Sequence, residues 1–475
     1  MRVEESAVVG VRPEAFGAEV HRRLRHARPS EDAPVGTNLI ALWEVREGGE
    51  VLVEAVLEEG DAVVRLQAPW RPELVWPSEA GARETALEEA RLMAVAQGEG
   101  RYGTGPAHAV AARGAFTFPI GPVRGDVMES AALTLTGMGD EVLGLRVDLG
   151  WKVRRVQQAA VGLPVAEAVR VVEHTTATSA VAHALAFSQA VEAARGRPVT
   201  GRAAVLRSIL AEIERAHSHL LDLASLAGAT GLPAAQQELM ALRESVLRTA
   251  YALVGHRYLR GAVAPGGLAV DPGDRAWVEA AMAVVRLGPA LDRIVADLDA
   301  TPSFLDRLHA AGIVKSHEAV EMGALGPVGR ASGSGPDCRR HRPYAGYVGH
   351  PPSPLPYDHA GDAWARWRVK TAEVRASLSW LEQAAVSLPD RCREEADPIP
   401  AGGDGWGLGR AEGPRGEVVY AVRLDPEGRT AGVWARTPSL RNWALLPVAV
   451  ARRNVLQDVP IIEASFALSA AGSDM

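Results

Sequence analysis

Apolar positions along this chain follow two periods, and the change from one to the other sets its organisation. In "LIALWEVREGGEVLVEAVLEEGDAVVRLQAP", three short runs rich in Val, Leu and Ile are split by Gly48-Gly49 and Gly60-Asp61. Short apolar runs joined by such turn residues predict an antiparallel meander. "SEAGARETALEEARLMAVAQ" then predicts a helix opened by Ser78, a residue type whose side-chain oxygen caps free backbone N–H groups. The Gly/Pro/Ala-rich stretch "GEGRYGTGPAHAVAARG" marks a boundary, so residues 1–112 read as a small α+β domain and 113–475 as a second unit. The β pattern returns over 117–150, where "SAALTLTGMGDEVLGLRVDLG" predicts a hairpin across Gly139-Asp140.

From about residue 164 the period becomes 3.6, predicting helices over roughly 164–196, 201–227, 233–258, 275–300 and 360–388. Within the second of these, Leu206, Ile209, Leu210, Ile213, Leu220 and Leu221 form one apolar stripe, and Gly228 stands where a C-cap belongs. Long helices with short connections imply an antiparallel bundle. Pro/Gly-rich stretches at 323–358 and 394–415 read as loops long enough to line a site or an interface. The tail carries a hairpin, "GEVVYAVRLDPEGRTAGVWART", then a short helical stretch and an irregular end. The expected class is α+β, predominantly α, with peripheral β hairpins.

Composition narrows the function. Hydrophobic residues make up 47% and charged residues 23% of 475 positions, as in an ordinary folded domain. A net charge of -7 argues against nucleic acid, whose phosphates need a basic face. No stretch reaches the roughly 18–20 apolar residues of a membrane span, and "MRVEESAVVG" lacks a basic-then-apolar leader. The expected location is therefore cytoplasmic, with membrane contact only through partners. Two cysteines, Cys338 and Cys392, cannot build a four-thiolate site, and a cytosolic disulfide between them is not expected.

Glu212, Arg215, His219 and Asp222 fall at i, i+3, i+7 and i+10, so they share one helix face. That spacing suits either a solvated face or an ion-paired network buried between helices. In "GALGPVGRASGSGPDCRRHRPYAGY", Arg330, Asp337, Arg339, Arg340 and Tyr344 stand among glycines. Clustered guanidinium groups there can bind an anion or pair structurally with carboxylates. No phosphate loop, Rossmann fingerprint, serine-hydrolase elbow or zinc motif occurs. His183, on an apolar helix, reads as a core histidine.

Several segments together carry a family resemblance: "FPIGPVRGDVMES", "GWKVRRVQQ", "SAVAHALAFSQAVE", "EIERAHSHLLDL", "GHRYLRGAVAPGG", "GPVGRASGSGPDCRRHRPYAGY", "EGPRGEVVYAV" and "TPSLRNWALLPVAVARRNVLQDVPIIEASFALS" occur in family order. Over roughly residues 117–475 the chain resembles the large subunit of energy-converting nickel–iron hydrogenases of the formate hydrogenlyase type. It equally resembles the quinone-site D subunit of respiratory complex I. Residues 1–112 are similar to a reduced complex I C-type subunit. The resemblance implies a hydrogenase large-subunit-like bundle and an iron–sulfur small subunit as partner. It also implies membrane subunits and a peripheral place on the cytoplasmic face of the inner membrane.

The resemblance also locates what is missing. The family's two Cys-x-x-Cys pairs fall on Thr176 and Ser179, and on Ser469 and Gly472; its proton-passing glutamate falls on Gln157. Hydroxyls are poor ligands for metals that thiolates bind, and glycine has no side chain. No nickel–iron centre is expected, and an iron–sulfur cluster would lie in the partner. The quinone-orienting His, Tyr and Asp fall on Arg124, Ala177 and Ala229. Arg124, with Asp337 and Arg339, is the candidate lining of an acceptor cavity for a possible quinone. The retained family frame is Arg215, His219, Arg260, Arg330, Asp337, Arg339, Arg415, Glu417, Arg436 and Asp458. Two functions follow from the resemblance: a redox subunit with a quinone-like cavity, or a catalytically silent subunit that assembles the complex.

Overall fold

The computed structural model describes residues 114–124, 129–354, 357–389 and 405–473, together with the backbone of five strands between Val8 and Thr104. The expected meander is there: β2 (Thr37–Glu47), β3 (Glu50–Glu59) and β4 (Ala62–Pro69) pair antiparallel, and β1 (Val8–Gly10) adds to β4 in parallel. The helix expected after Ser78 lies outside the described residues. A second sheet runs β5 (Tyr102–Thr104), β8 (Glu141–Leu149), β7 (Ala132–Met138), β6 (Ala115–Ile120). Its β7–β8 hairpin turns at Gly139-Asp140. Leu133, Leu135, Val142, Leu145 and Val147 enter the core from it, the alternation that a half-buried sheet requires.

Helices make the centre: α1 (Ala180–Ala194), α2 (Gly201–Ala229), α3 (Pro233–Val254), α4 (Asp274–Val285), α5 (Gly288–Asp299) and α6 (Ala363–Val386). α1 is buried on every side except at Gln189 and is rich in alanine, so it packs as a central rod rather than an amphipathic surface helix.

Four expectations need correction. The helix expected over 164–196 is two, Val165–Val172 and α1, because Glu173–Ser179 leaves the helical path. There Thr175 Oγ1 donates to Val172 O at 2.7 Å, the backbone competition that hydroxyl side chains offer. The helix expected over 275–300 breaks between α4 and α5, where Pro289 opens the new helix. Gly228 is not a C-cap: α2 runs on to Ala229, and a Cβ on Gly228 would meet the Gln236 amide nitrogen at 2.6 Å.

The stretch read as a loop over 394–415 contains a strand, β9 (Gly405–Gly413), which pairs with β10 (Gly416–Leu424); β10 in turn pairs with β11 (Thr430–Arg436). Glycine serves close approach here. A Cβ on Gly407 would sit 1.9 Å from Ala190 O, and one on Gly409 2.0 Å from Ala186 O. The strand therefore lies directly on the small-residue face of α1. The tail ends in the helices Pro438–Asn442, Leu445–Val450 and Val459–Phe466.

Candidate functional site

α2 carries polar side chains on two sides, both buried. On the first, Glu212, Arg215 and His219 are 0% exposed and Asp222 4%. Glu212 accepts from Arg339 Nη1 at 3.0 Å, Ser377 Oγ at 2.5 Å and Arg215 Nε at 3.3 Å, and also from the Tyr347 hydroxyl. Arg215 continues to the carbonyls of Glu412 (2.5 Å) and Gly413 (3.0 Å), anchoring the β9 end. Glu373 of α6 accepts from Arg330 Nη2 at 2.6 Å and Nε at 2.9 Å, and bonds His219 Nε2 at 2.9 Å. Arg330 also reaches Glu412 Oε1 at 3.1 Å. Asp222 pairs with Lys370 Nζ at 3.0 Å.

Asp337 and Arg339 belong to this same network. Asp337 caps the short helix Cys338–His341 through Arg339 N and holds the Arg339 side chain through Nη2 at 2.6 Å. Burial would raise these carboxyls, but neighbouring cations outweigh it for most of them. Arg339 holds Asp337 down at about 2, Lys370 holds Asp222 down at about 2, and Arg215 with Arg339 holds Glu212 below its ordinary value. Glu412 is the exception, raised by burial against Arg330. The arrangement is a closed ionic knot joining α2, α6, β9 and the 326–347 segment, and such a knot can fix the relative placement of four elements.

The other side of α2 faces the loop that carries Thr176 and Ser179, the positions where the resemblance expects the first pair of ligands. Ser179 N-caps α1 without a side-chain hydrogen bond, and Glu214 takes that place, accepting from Val181 N at 2.6 Å and Ala182 N at 2.9 Å. Thr176 is 5% exposed, and its Oγ1 has no partner among the described residues. At the C-terminal pair, Ser469 Oγ donates to Glu129 at 2.9 Å and accepts from Gly472 N at 3.0 Å, while Ala471 N donates to Glu129 at 2.8 Å. Trp443 Nε1 holds the Ser469 carbonyl at 3.1 Å. Arg415, in the β9–β10 turn, joins the two segments: Nη1 donates to Thr178 Oγ1 at 2.5 Å and Nε to the Ala467 carbonyl.

Such a donor set does not fit a nickel–iron pair. Ser469 is engaged as both donor and acceptor, Gly472 offers only backbone, and the remaining ligand positions carry neutral hydroxyls. Among the described residues, no group of three or more His, Cys, Asp or Glu gathers in a metal-binding arrangement. Cys338 is buried and free, and burial raises its thiol well above the ordinary range.

The remaining candidates are dispersed. Arg124 pairs with Glu463 at 2.5 and 2.8 Å, whereas Asp337 and Arg339 sit in the ionic knot. Gln157 Oε1 accepts from Ala435 N at 3.3 Å. His183 is buried and bonded to the Tyr420 hydroxyl at 2.8 Å, and burial pushes its ring down to about 3. Of the other frame residues, Arg436 pairs with Glu417, Asp458 accepts from Val455 N at 3.0 Å, and Arg260 and the small side chains of Ala177 and Ala229 are half-buried. Sequence reasoning missed Glu129, Glu214, His217, Lys370, Glu373 and Glu463. For Glu214 and His217 a signal existed, since i and i+3 share a helix side; the others become meaningful only through distant partners.

Comparison with known proteins finds relatives of one kind. The model of the respiratory-chain NADH dehydrogenase 49 kDa subunit matches residues 231–402. The carbon monoxide-induced hydrogenase of Rhodospirillum rubrum is 28% identical over 352 residues, covering 73% of this chain and 96% of that one. The membrane-bound hydrogenase subunit alpha of Pyrococcus furiosus is 29% identical, with 73% and 84% covered. A D-type subunit of the NADH-quinone oxidoreductase of Roseiflexus sp. is 28% identical, with 69% and 85% covered. In fold, the chain superposes on a chain of the archaeal membrane-bound sulfane sulfur reductase complex with a TM-score of 0.71 at 23% identity, covering 78% of this chain and all of that one. The chain is therefore similar both to membrane-bound hydrogenase subunits and to the 49 kDa or D-type subunit of complex I.

Proposed function

We propose that this chain is the large subunit of a membrane-associated complex of the complex I or energy-converting hydrogenase kind, docked on an iron–sulfur small subunit, and that it serves there as a catalytically silent structural subunit. The observation that carries the reading is how the two former ligand segments are held. Ser469 and Ala471 N grip Glu129, and Arg415 spans Thr178 and the Ala467 carbonyl. Hydrogen bonds within the protein occupy the Ser469 hydroxyl and tie the Thr178 loop to the C-terminal segment, so the Ser469 oxygen that a metal or a substrate would need is already engaged. The acceptor-cavity reading would draw on Arg124, Asp337 and Arg339, and each of these already holds a carboxylate or is held by a guanidinium. An iron–sulfur cluster belongs, in this reading, to the partner. Among the described residues no helix is long and apolar enough to cross a membrane, so the membrane would be met through other subunits on the cytoplasmic side.

The test is purification of the intact complex through a tag on this chain, with hydrogen uptake and quinone reduction assayed side by side. The reading expects a complex that retains its small subunit and shows neither activity at this chain. Hydrogenase activity would overturn it. Quinone reduction abolished by Arg124→Ala would replace it with the acceptor-cavity reading.

A further inference from the structure

Near Arg415, several buried titratable groups crowd together. Its positive charge acts on Glu214, His217 and Asp222 of α2, on His183 of α1 and on Lys370 of α6. Arg215 on α2 faces Glu214 as well, and Arg243 on α3 faces His217. Glu214 differs from the glutamates of the ionic knot. It is 1% exposed, and its two oxygens accept one backbone N–H each from the first turn of α1. No side chain among the described residues hydrogen-bonds or ion-pairs with it. Glu212, Glu373 and Glu412 each hold at least one guanidinium. The nearest cations are already engaged: Arg215 with Glu212 and two carbonyls, Arg415 with Thr178 and Ala467.

Two dipolar N–H groups stabilise a carboxylate, but burial without a contacting countercharge favours the neutral acid more strongly. His217 supplies an independent observation on the same side of α2. It is 0% exposed, its ring lies edge-on to Tyr258, and neither ring nitrogen has a partner among the described residues. A buried imidazole held neutral one turn along gives Glu214 no countercharge, so it does nothing to favour the ionised acid.

We infer that Glu214 is a proton-binding site of this chain, which takes up and releases one proton beside the loop that replaces the family's metal ligands. His183, His217 and Asp222 do not share that role near neutral pH. Burial holds His183 and His217 neutral, each down at about 3, and Lys370 holds Asp222 ionised, down at about 2. Burial pushes Glu214 up to about 7, against the pull of Val181 N, Ala182 N, Arg215 and Arg415. The step moves a proton only, and no electron or bond to substrate is involved. It stands whether the complex is silent or redox-active at this chain.

Infrared difference spectroscopy of the full chain, titrated from about pH 5 to about pH 9, tests it directly. The expected result is a protonated-carboxyl carbonyl band that fades with a midpoint near neutrality and is missing in Glu214→Gln. In Arg415→Gln, loss of a cation that holds Glu214 down should move that midpoint upward. A band unchanged by Glu214→Gln, no band above about pH 5, or a midpoint unmoved by Arg415→Gln would each overturn the inference. Should Glu214→Gln fail to fold, the Arg415→Gln shift decides alone.

Discussion

Removing Glu373 tests whether the ionic knot holds the helices together. In Glu373→Ala, Arg330 loses the partner of its Nε and Nη2 (2.9 and 2.6 Å), and His219 loses the partner of Nε2 (2.9 Å), all at residues 0% exposed. Arg330 keeps its bond to Glu412 at 3.1 Å, but that carboxylate is shared with the rest of the knot. Stripping one partner from a buried pair costs about 3–5 kcal/mol, because the remaining charge is left uncompensated in low dielectric. Against a total of about 5–15 kcal/mol for a folded domain, the loss is a large fraction. The control lies on the same helix: Arg375 pairs with Asp292 at 2.7 Å, but the two are 49% and 57% exposed. An exposed pair of this kind is worth less than about 1 kcal/mol, so Arg375→Ala should barely register. Denaturant unfolding of both variants gives the comparison as a shift in midpoint at constant slope. If Glu373→Ala shifts the midpoint no further than Arg375→Ala, the knot is not what fixes these helices.

Three further outcomes follow from the same structure. Gly409→Ala would drive a Cβ to 2.0 Å from Ala186 O, so β9 must lift from α1; overpacking of this sort costs about 1–3 kcal/mol or more, read as a lower melting temperature. Ser469→Ala removes a donor to Glu129 at 2.9 Å and an acceptor for Gly472 N at 3.0 Å, which should cost about 1–3 kcal/mol in thermal unfolding. The Glu214 carboxyl, raised from 4.5 to about 7, binds its proton more tightly in the folded chain. Its contribution is therefore full below about pH 4.5 and is lost as pH rises through about 7, a change of about 3 kcal/mol. Wild type should lose stability relative to Glu214→Gln as pH rises over that window, and an unchanged difference at both ends would contradict it.

What was legible in the sequence was local. The meander, the Gly139-Asp140 hairpin and the apolar stripe of α2 each depend on neighbours within a turn or a strand, and each reads correctly. The break at Glu173–Ser179 was hidden because no proline or glycine marks it, while the hydroxyls that disrupt the helix there act through the backbone. β9 was hidden because "GWGLGRAEG" looks like a flexible loop; its glycines serve contact with α1, which only the fold reveals. The Glu212–Asp222 stripe could be placed on one face, but its burial depends on Arg339 and Glu373, 127 and 154 residues away. The resemblance assigned former ligand positions to Thr176, Ser179, Ser469 and Gly472. The hydrogen bonds that now close those segments, through Glu129 and Arg415, were not legible.

Elemental analysis of the intact purified complex bears most directly on the claim that the bimetallic site has been rebuilt as hydrogen-bonded protein. Nickel should be present at far below one atom per copy of this chain, with iron accounted for by clusters in partner subunits. One nickel per chain that stays bound through chelator treatment would contradict the account.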